Sequence, residues 1–164
     1  MKASLKPLIH ALRLYWFAAV IYEIYRLLFK PHTHGALVAI WHQDQVLLVK
    51  TSYRRSWSLP GGGIQGGESA AQAACRELFE ELGFHVLQEQ LSTAWTITET
   101  SSGGLNTVSI FTLTVYERPE LEIDNMEIVA SLWLSREEAL AKHLPSHLRL
   151  YLEAEEAMTI EVDA

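Results

Sequence analysis

Between Leu59 and Gly83 the chain makes two opposite demands on its backbone in quick succession. Pro60, Gly61, Gly62, Gly63, Gly66 and Gly67 read as a tight, conformationally unusual loop, because glycine reaches backbone angles closed to other residues. Directly after it, Ala70 to Leu82 is rich in alanine, leucine and glutamate and favours helix strongly. Ser69 with Gln72 three residues on forms a capping box, and Gly83 is a natural C-terminal stop. Ala71, Ala74, Leu78 and Leu82 give that helix one apolar side, so it must dock on something.

The flanking segments supply a sheet. Gly35 to Trp41 and Gln45 to Tyr53 are rich in valine, leucine and isoleucine and are separated by His42-Gln43-Asp44, which reads as a β-hairpin. Ser56 to Leu59 alternates polar and apolar and reads as a short strand entering the glycine loop. Val86 to Thr100 and Asn106 to Glu117 are expected to form a long hairpin about Ser101-Ser102-Gly103-Gly104. Ile128 to Leu134 reads as a further strand, Ser135 with Glu138 caps a short helix ending before Pro145, and a last helix covers Ser146 to Ala157. Strands mixed with helices predict an α/β (α+β) fold with a mixed sheet between helices.

At 164 residues the chain suits one principal core. The single cysteine, Cys75, excludes an internal disulfide framework and agrees with a reducing, cytoplasmic location as the default expectation. A net charge of −7 argues against a nucleic-acid backbone as the main partner and means that an anionic substrate needs bridging cations.

Charge is unevenly spread. Residues 1–33 hold Lys2, Lys6, Arg13, Arg26 and Lys30 against Glu23, a local +4, while the rest carries eight basic and nineteen acidic groups, −11. Leu8 to Phe29 is apolar, free of proline and glycine, and expected to be helical until Pro31. Its uncharged stretch, Leu14 to Tyr22, is nine residues, short of the ~20 that a membrane span needs. A signal peptide fits poorly, since no small-residue cleavage site follows. The segment is therefore read as an N-terminal helix over 1–33 ahead of a domain at 34–164. It has three open roles: packing on its own domain, forming a homodimer, or making peripheral contact with an anionic membrane.

Glu77, Glu80 and Glu81 stand at i, i+3 and i+4, which gathers three carboxylates within about 100° of one helix face. Like charges so placed destabilise a helix by roughly 0.2–0.5 kcal/mol per pair, and a bound cation reverses that sign. An arbitrary glutamate-rich helix is usually a solvated face. Here the glycine turn lies beside it, and all-oxygen ligands, with Gly61 offering a backbone carbonyl, suit Mg2+ or Mn2+ rather than zinc.

The run Gly62, five residues, Glu68, seven residues, then Arg76-Glu77-Leu78-Phe79-Glu80-Glu81-Leu82-Gly83-Phe84 resembles the Nudix hydrolase signature at every defining position. The resemblance extends over about residues 35–157 and implies a Nudix-like α/β/α sandwich. It further implies metal-dependent hydrolysis of a nucleoside diphosphate linked to another moiety. By that resemblance Glu80 and Glu81 match metal-ligand positions, Glu77 matches a ligand or base, and Arg76 orients the acidic cluster through an ion pair that includes Glu68.

A further carboxylate from outside the motif is common in the family. Glu127 is the first candidate for it, ahead of Glu122 and Asp124. Arg54, Arg55, Gly62 and Gly63 are candidates for contact with substrate phosphate. Trp95 is read as core rather than as a base-stacking platform, and Cys75 as a core thiol. Thr98 to Ser101 carry neither the proline nor the tyrosine that marks two subfamilies at this distance, so the substrate stays open. The alternatives are a non-catalytic nucleotide-binding module and a membrane-associated hydrolase of a lipid-linked diphosphate.

Overall fold

The computed structural model describes residues 32–92, 95–101, 104–123 and 127–162. The N-terminal helix expected over 1–33 therefore lies almost wholly outside the described residues, as does Asp124. The chain falls into two compact units, residues 34–98 with 107–164, and residues 1–33 with 99–106. In the smaller unit, the Thr33 hydroxyl donates to Asn106 Oδ1 at 2.9 Å.

Six strands form one sheet: β1 (Thr33–His42), β2 (Gln45–Thr51), β3 (Gly61–Gly63), β4 (Trp95–Ser101), β5 (Gly104–Thr114) and β6 (Ile128–Ser135). Among the described residues three α-helices accompany them: α1 (Ala70–Leu82), α2 (Arg136–Leu140) and α3 (Ser146–Val162). The strand order is β4-β5-β1-β2-β6, with β3 paired to β1 off that path. β1 and β2 are antiparallel through Trp41↔Val46 and His42↔Gln45, so the hairpin turns on Gln43 and Asp44 alone. β2 and β6 are also antiparallel, from Gln45↔Ser135 to Thr51↔Ile128. Val115 N–H donates to the Trp41 carbonyl at 2.8 Å where β5 and β1 both end, so these two run in the same direction and the sheet is mixed.

β1 and β2 are buried along a continuous run, because successive side chains point to opposite faces of the sheet and both faces are covered. Ala36, Val38 and Ile40 of β1, with Leu47 and Val49 of β2, pack beneath Ala73, Ala74, Leu78 and Leu82 of α1. Leu37, Ala39 and Trp41, with Val46 and Leu48, face the other way, toward Ala139, Leu148, Tyr151 and Leu152 of α2 and α3. Full burial of a leucine is worth about 1.5–3 kcal/mol, so Leu78 and Leu82 alone anchor α1 firmly.

Both capping boxes form as the spacing predicts. Ser69 Oγ accepts from Gln72 N–H while Gln72 returns the bond to Ser69, and Ser135 and Glu138 repeat the arrangement. Gly83 ends α1 in the left-handed conformation at φ 64°.

Three segments differ from the sequence reading. The glycines 61–63 are not a loop but β3, antiparallel to β1 with Gly35↔Gly63 and Leu37↔Gly61. Ser56 to Leu59 contributes one bridge, Val49 with Ser58, rather than a strand. Val86 to Leu91 is not strand either: a 3-10 turn occupies Gln88–Gln90, and β4 begins only at Trp95. The Leu87 and Gln90 pair closes that turn through the Gln90 side chain, a local bond that competes with extended backbone.

Candidate active site

β3 lies across the N-terminal part of β1 because nothing projects from it. A Cβ at Gly61 would stand 2.3 Å from the Ala36 carbonyl oxygen, and its φ of 129° is closed to ordinary side chains. A Cβ at Gly62 would stand 2.6 Å from the Glu77 carboxyl. Glycine at these two positions is what allows the acidic helix to approach the sheet this closely.

The three α1 glutamates separate into different environments. Glu81 is only 4% exposed, beside Leu78 and Leu82, and its Oε2 accepts the Gly61 N–H at 2.8 Å. Burial pushes its carboxyl up to about 8, the Gly61 bond pulls the other way, and the charges of Glu127 and Glu77 push further. Glu77 is half-buried next to Gly62, and burial raises it too, against the opposing pull of Arg76. Glu80 stands at the outer rim with its side chain 56% exposed.

Arg76 ties the group together with all five of its N–H donors. Nε and Nη2 reach the two oxygens of Glu68 at 3.2 and 2.8 Å, Nη1 reaches Glu77 at 2.7 Å and Glu80 at 3.0 Å, and Nη2 also reaches the Gly63 carbonyl at 2.9 Å. The ion pair with Glu68 therefore exists, and Arg76 also bridges α1 to β3. Its neighbours hold Glu68 below the usual carboxylate range, chiefly through the Arg76 bond.

Glu127 precedes β6, and its charge is felt at both Glu77 and Glu81. Its Oε1 accepts the Tyr53 hydroxyl at 2.7 Å, and its carbonyl accepts Ser52 N–H at 2.8 Å. Tyr53 carried no signal in the sequence, lying 74 positions away from its partner. Arg54 and Arg55 are both exposed, and only Arg54 is named among the charges that act on Glu81, lowering it. Glu122 belongs to a crossing of the α1 terminus, with its N–H on the Leu82 carbonyl. Trp95 is neither core nor free platform: it is 37% exposed and meets Tyr151 edge-on, with ring centroids 6.1 Å apart. Cys75 is half-buried, which raises its thiol.

Among the described residues no three His, Cys, Asp or Glu side chains converge closely enough to form a ready ion cage. The Arg76 guanidinium bridges Glu77 and Glu80. The donor set nonetheless fits a hard divalent ion: Glu77, Glu80, Glu81 and Glu127 offer carboxylate oxygens alone, and Glu81 is a buried acid beside two further negative charges.

Comparison with known proteins identifies the family. The putative 8-oxo-dGTP diphosphatase of Bacillus subtilis (strain 168) is 46% identical over 55 residues, 33% of this chain and 37% of that protein. The RNA pyrophosphohydrolase of Edwardsiella ictaluri is 54% identical over 41 residues, 25% of this chain and 23% of that protein. The matched stretches thus span well under half the length of these curated relatives. Among solved structures, the MutT protein from Methanosarcina mazei Go1 superposes with a TM-score of 0.68 at 22% identity, covering 80% of this chain and 98% of that one. The E. coli dihydroneopterin triphosphate pyrophosphohydrolase superposes with a TM-score of 0.62 at 28% identity, covering 74% and 92%. The NUDIX domain model matches residues 31–154, the stretch that holds β1 to β6, the glycine strand and the glutamate helix, and the chain belongs to that family.

Proposed function

We propose that this chain hydrolyses the phosphoric anhydride bond of a nucleoside diphosphate linked to another moiety, by attack of water at phosphorus, with Mg2+ or Mn2+ as the required ion. One observation carries the reading: the Glu81 carboxyl is 4% exposed, held by the Gly61 N–H at 2.8 Å, and surrounded by the negative charges of Glu77 and Glu127. A buried acid among like charges is unfavourable alone and becomes favourable beside a divalent cation. Glu77, Glu80, Glu81 and Glu127 would hold the ion, with the Gly61 carbonyl as a further oxygen. When bound, it neutralises diphosphate charge and makes water a better nucleophile.

The chain's own residues supply the rest. Arg76 fixes Glu77 and Glu80 relative to the glycine strand, so the carboxylates are held in place before substrate arrives. Glu77, raised by burial, is suited to take a proton from the attacking water as well as to bind the ion. Arg54 and Arg55, exposed in the loop after β2, offer guanidinium groups to phosphate oxygens, and Gly62 and Gly63 let the substrate approach backbone closely. No covalent nucleophile is required. The curated relatives named above are called a diphosphatase and a pyrophosphohydrolase, which agrees with this bond class. Residues 34–164 form the catalytic domain in this reading, with residues 1–33 as a separate apolar and basic helix.

The test is phosphate release from a panel of nucleoside diphosphate derivatives by the full chain, with and without Mg2+. Glu80→Gln and Glu81→Gln are each expected to lower turnover by several orders of magnitude while circular dichroism stays unchanged. Wild-type turnover in both variants refutes the site.

A further inference from the structure

Glu127 is attached to the loop after β2 at two points. Its carbonyl accepts Ser52 N–H at 2.8 Å, and its Oε1 accepts the Tyr53 hydroxyl at 2.7 Å. Between the loop and β6 the ladder is irregular: the register slips at Lys50 and Thr51, just before Thr51 meets Ile128. A slip of this kind re-aims the side chains next to it and leaves them to be fixed by other contacts. Residues 124–126 lie outside the described residues, so the described anchors of Glu127 are these two bonds and the start of β6.

A glutamate side chain has three rotatable bonds, and a carboxylate needed at a fixed place must be held there by a donor. The backbone bond from Ser52 fixes where Glu127 leaves the chain and does not fix its carboxylate. The Tyr53 hydroxyl fixes the carboxylate. It bonds one oxygen, and the Glu127 charge is felt at Glu77 and Glu81 on α1. The Arg54 guanidinium lies 5.6 Å from the centroid of the tyrosine ring, a distance at which the cation and the ring face attract.

We propose that Tyr53 is a positioning residue, holding the Glu127 carboxylate as the fourth acidic donor beside the three glutamates of α1. The inference rests on the metal-dependent reading above. It adds that a residue from the β2 end of the sheet, outside the glycine strand and the acidic helix, governs how tightly the divalent cation binds. Phenylalanine at 53 keeps the ring and its contact with Arg54 and removes only the hydroxyl, so the two roles of Tyr53 separate cleanly.

The experiment is a double-mutant cycle on the full chain, read by Mn2+ affinity without substrate, from the loss of the free-ion electron paramagnetic resonance signal. A hydrogen bond that orients a ligating carboxylate is worth about 10–100-fold in metal affinity. Tyr53→Phe is therefore expected to weaken Mn2+ binding about tenfold, Glu127→Gln by at least as much, and the double variant no further than Glu127→Gln. Thermal midpoints of the metal-free variants, measured alongside, are expected to stay close to wild type.

Tyr53→Phe with wild-type Mn2+ affinity overturns the proposal, and so does a loss that persists undiminished in the Glu127→Gln background. Glu81→Gln serves as the reference. If it too leaves Mn2+ affinity unchanged, the metal reading itself has failed, whereas loss in Glu81→Gln alone removes Tyr53 and leaves the metal reading standing.

Discussion

Glu81 Oε2 accepts the Gly61 N–H at 2.8 Å, so the most buried acid of α1 is bonded to the first residue of the glycine strand. One backbone donor does not offset the burial of a carboxylate flanked by the charges of Glu77 and Glu127, and its proton affinity rises to about 8 from an ordinary 4.5.

That shift fixes the sign of a pH effect. A group raised in the folded state holds its proton more tightly there than in the unfolded chain, so its contribution is complete below about 4.5 and is lost as pH climbs through about 8. The raised Glu77 acts in the same direction, and the lowered Glu68 acts only at more acid pH. In a chelator-treated sample the thermal midpoint is expected to fall from pH 5 to pH 8. Glu81→Gln, which keeps an acceptor for Gly61 and drops the charge, is expected to flatten that slope. A midpoint that rises over the same window in wild type contradicts the burial assigned to Glu81.

The two neighbouring glycines are expected to fail in different ways. Gly61→Ala forces φ near 129° and a contact of 2.3 Å with backbone, so it costs about 1–3 kcal/mol or more and lowers the urea midpoint. The nearest atoms to a Cβ in Gly62→Ala are those of the Glu77 carboxyl, the far end of a flexible side chain. The fold is expected to absorb it with a small stability change, while turnover falls at least tenfold because Glu77 is displaced. Urea titration and turnover, measured on both variants, separate the two. Equal effects of both substitutions on both quantities count against this division.

How far the sequence carries depends on whether the information sits in side chains that repeat. The β1–β2 hairpin and the bounds of α1 were legible because two continuous apolar runs rich in valine, leucine and isoleucine flank a short polar turn, and because Ser69, Gln72 and Gly83 are chemical punctuation. The glycine strand was not, since three residues without side chains carry no pattern, and its pairing with β1 depends on their smallness. Val86 to Leu91 has strand-like composition, and a local side-chain bond at Gln90 overrides it. The carboxylate helix was legible through its spacing and its family signature. That Glu81 is buried and Glu80 exposed depends on which side of α1 meets β3. Tyr53 lies 74 residues from Glu127, and nothing in either neighbourhood points to the other.

Arg76→Lys tests whether charge or shape matters at the centre of the cluster. The guanidinium serves Glu68, Glu77, Glu80 and the Gly63 carbonyl at once, and an ammonium group with three donors on a single nitrogen cannot span them. These pairs are partly exposed, so the loss of stability is expected to stay within about 1 kcal/mol. Turnover is expected to drop about 10–100-fold, as when an orienting bond to a metal-ligating carboxylate is removed. Wild-type turnover in the lysine variant would reduce Arg76 to a simple counter-charge.

Divalent ions are expected to stabilise the folded chain without any substrate, because the carboxylate cluster exists only when α1 is docked on the sheet. A ligand that binds only the folded state raises stability by about 2.7 kcal/mol at one hundred times its dissociation constant. Mn2+ added to chelator-treated protein is therefore expected to raise the thermal midpoint in a concentration-dependent way, and Na+ at equal ionic strength serves as the control for general screening. The shift is expected to vanish in Glu81→Gln and to shrink in Glu80→Gln, whose side chain is already half in solvent. A full Mn2+ shift in both variants would put the ion somewhere other than the acidic edge of α1, and with it the water activation that the hydrolytic reading requires.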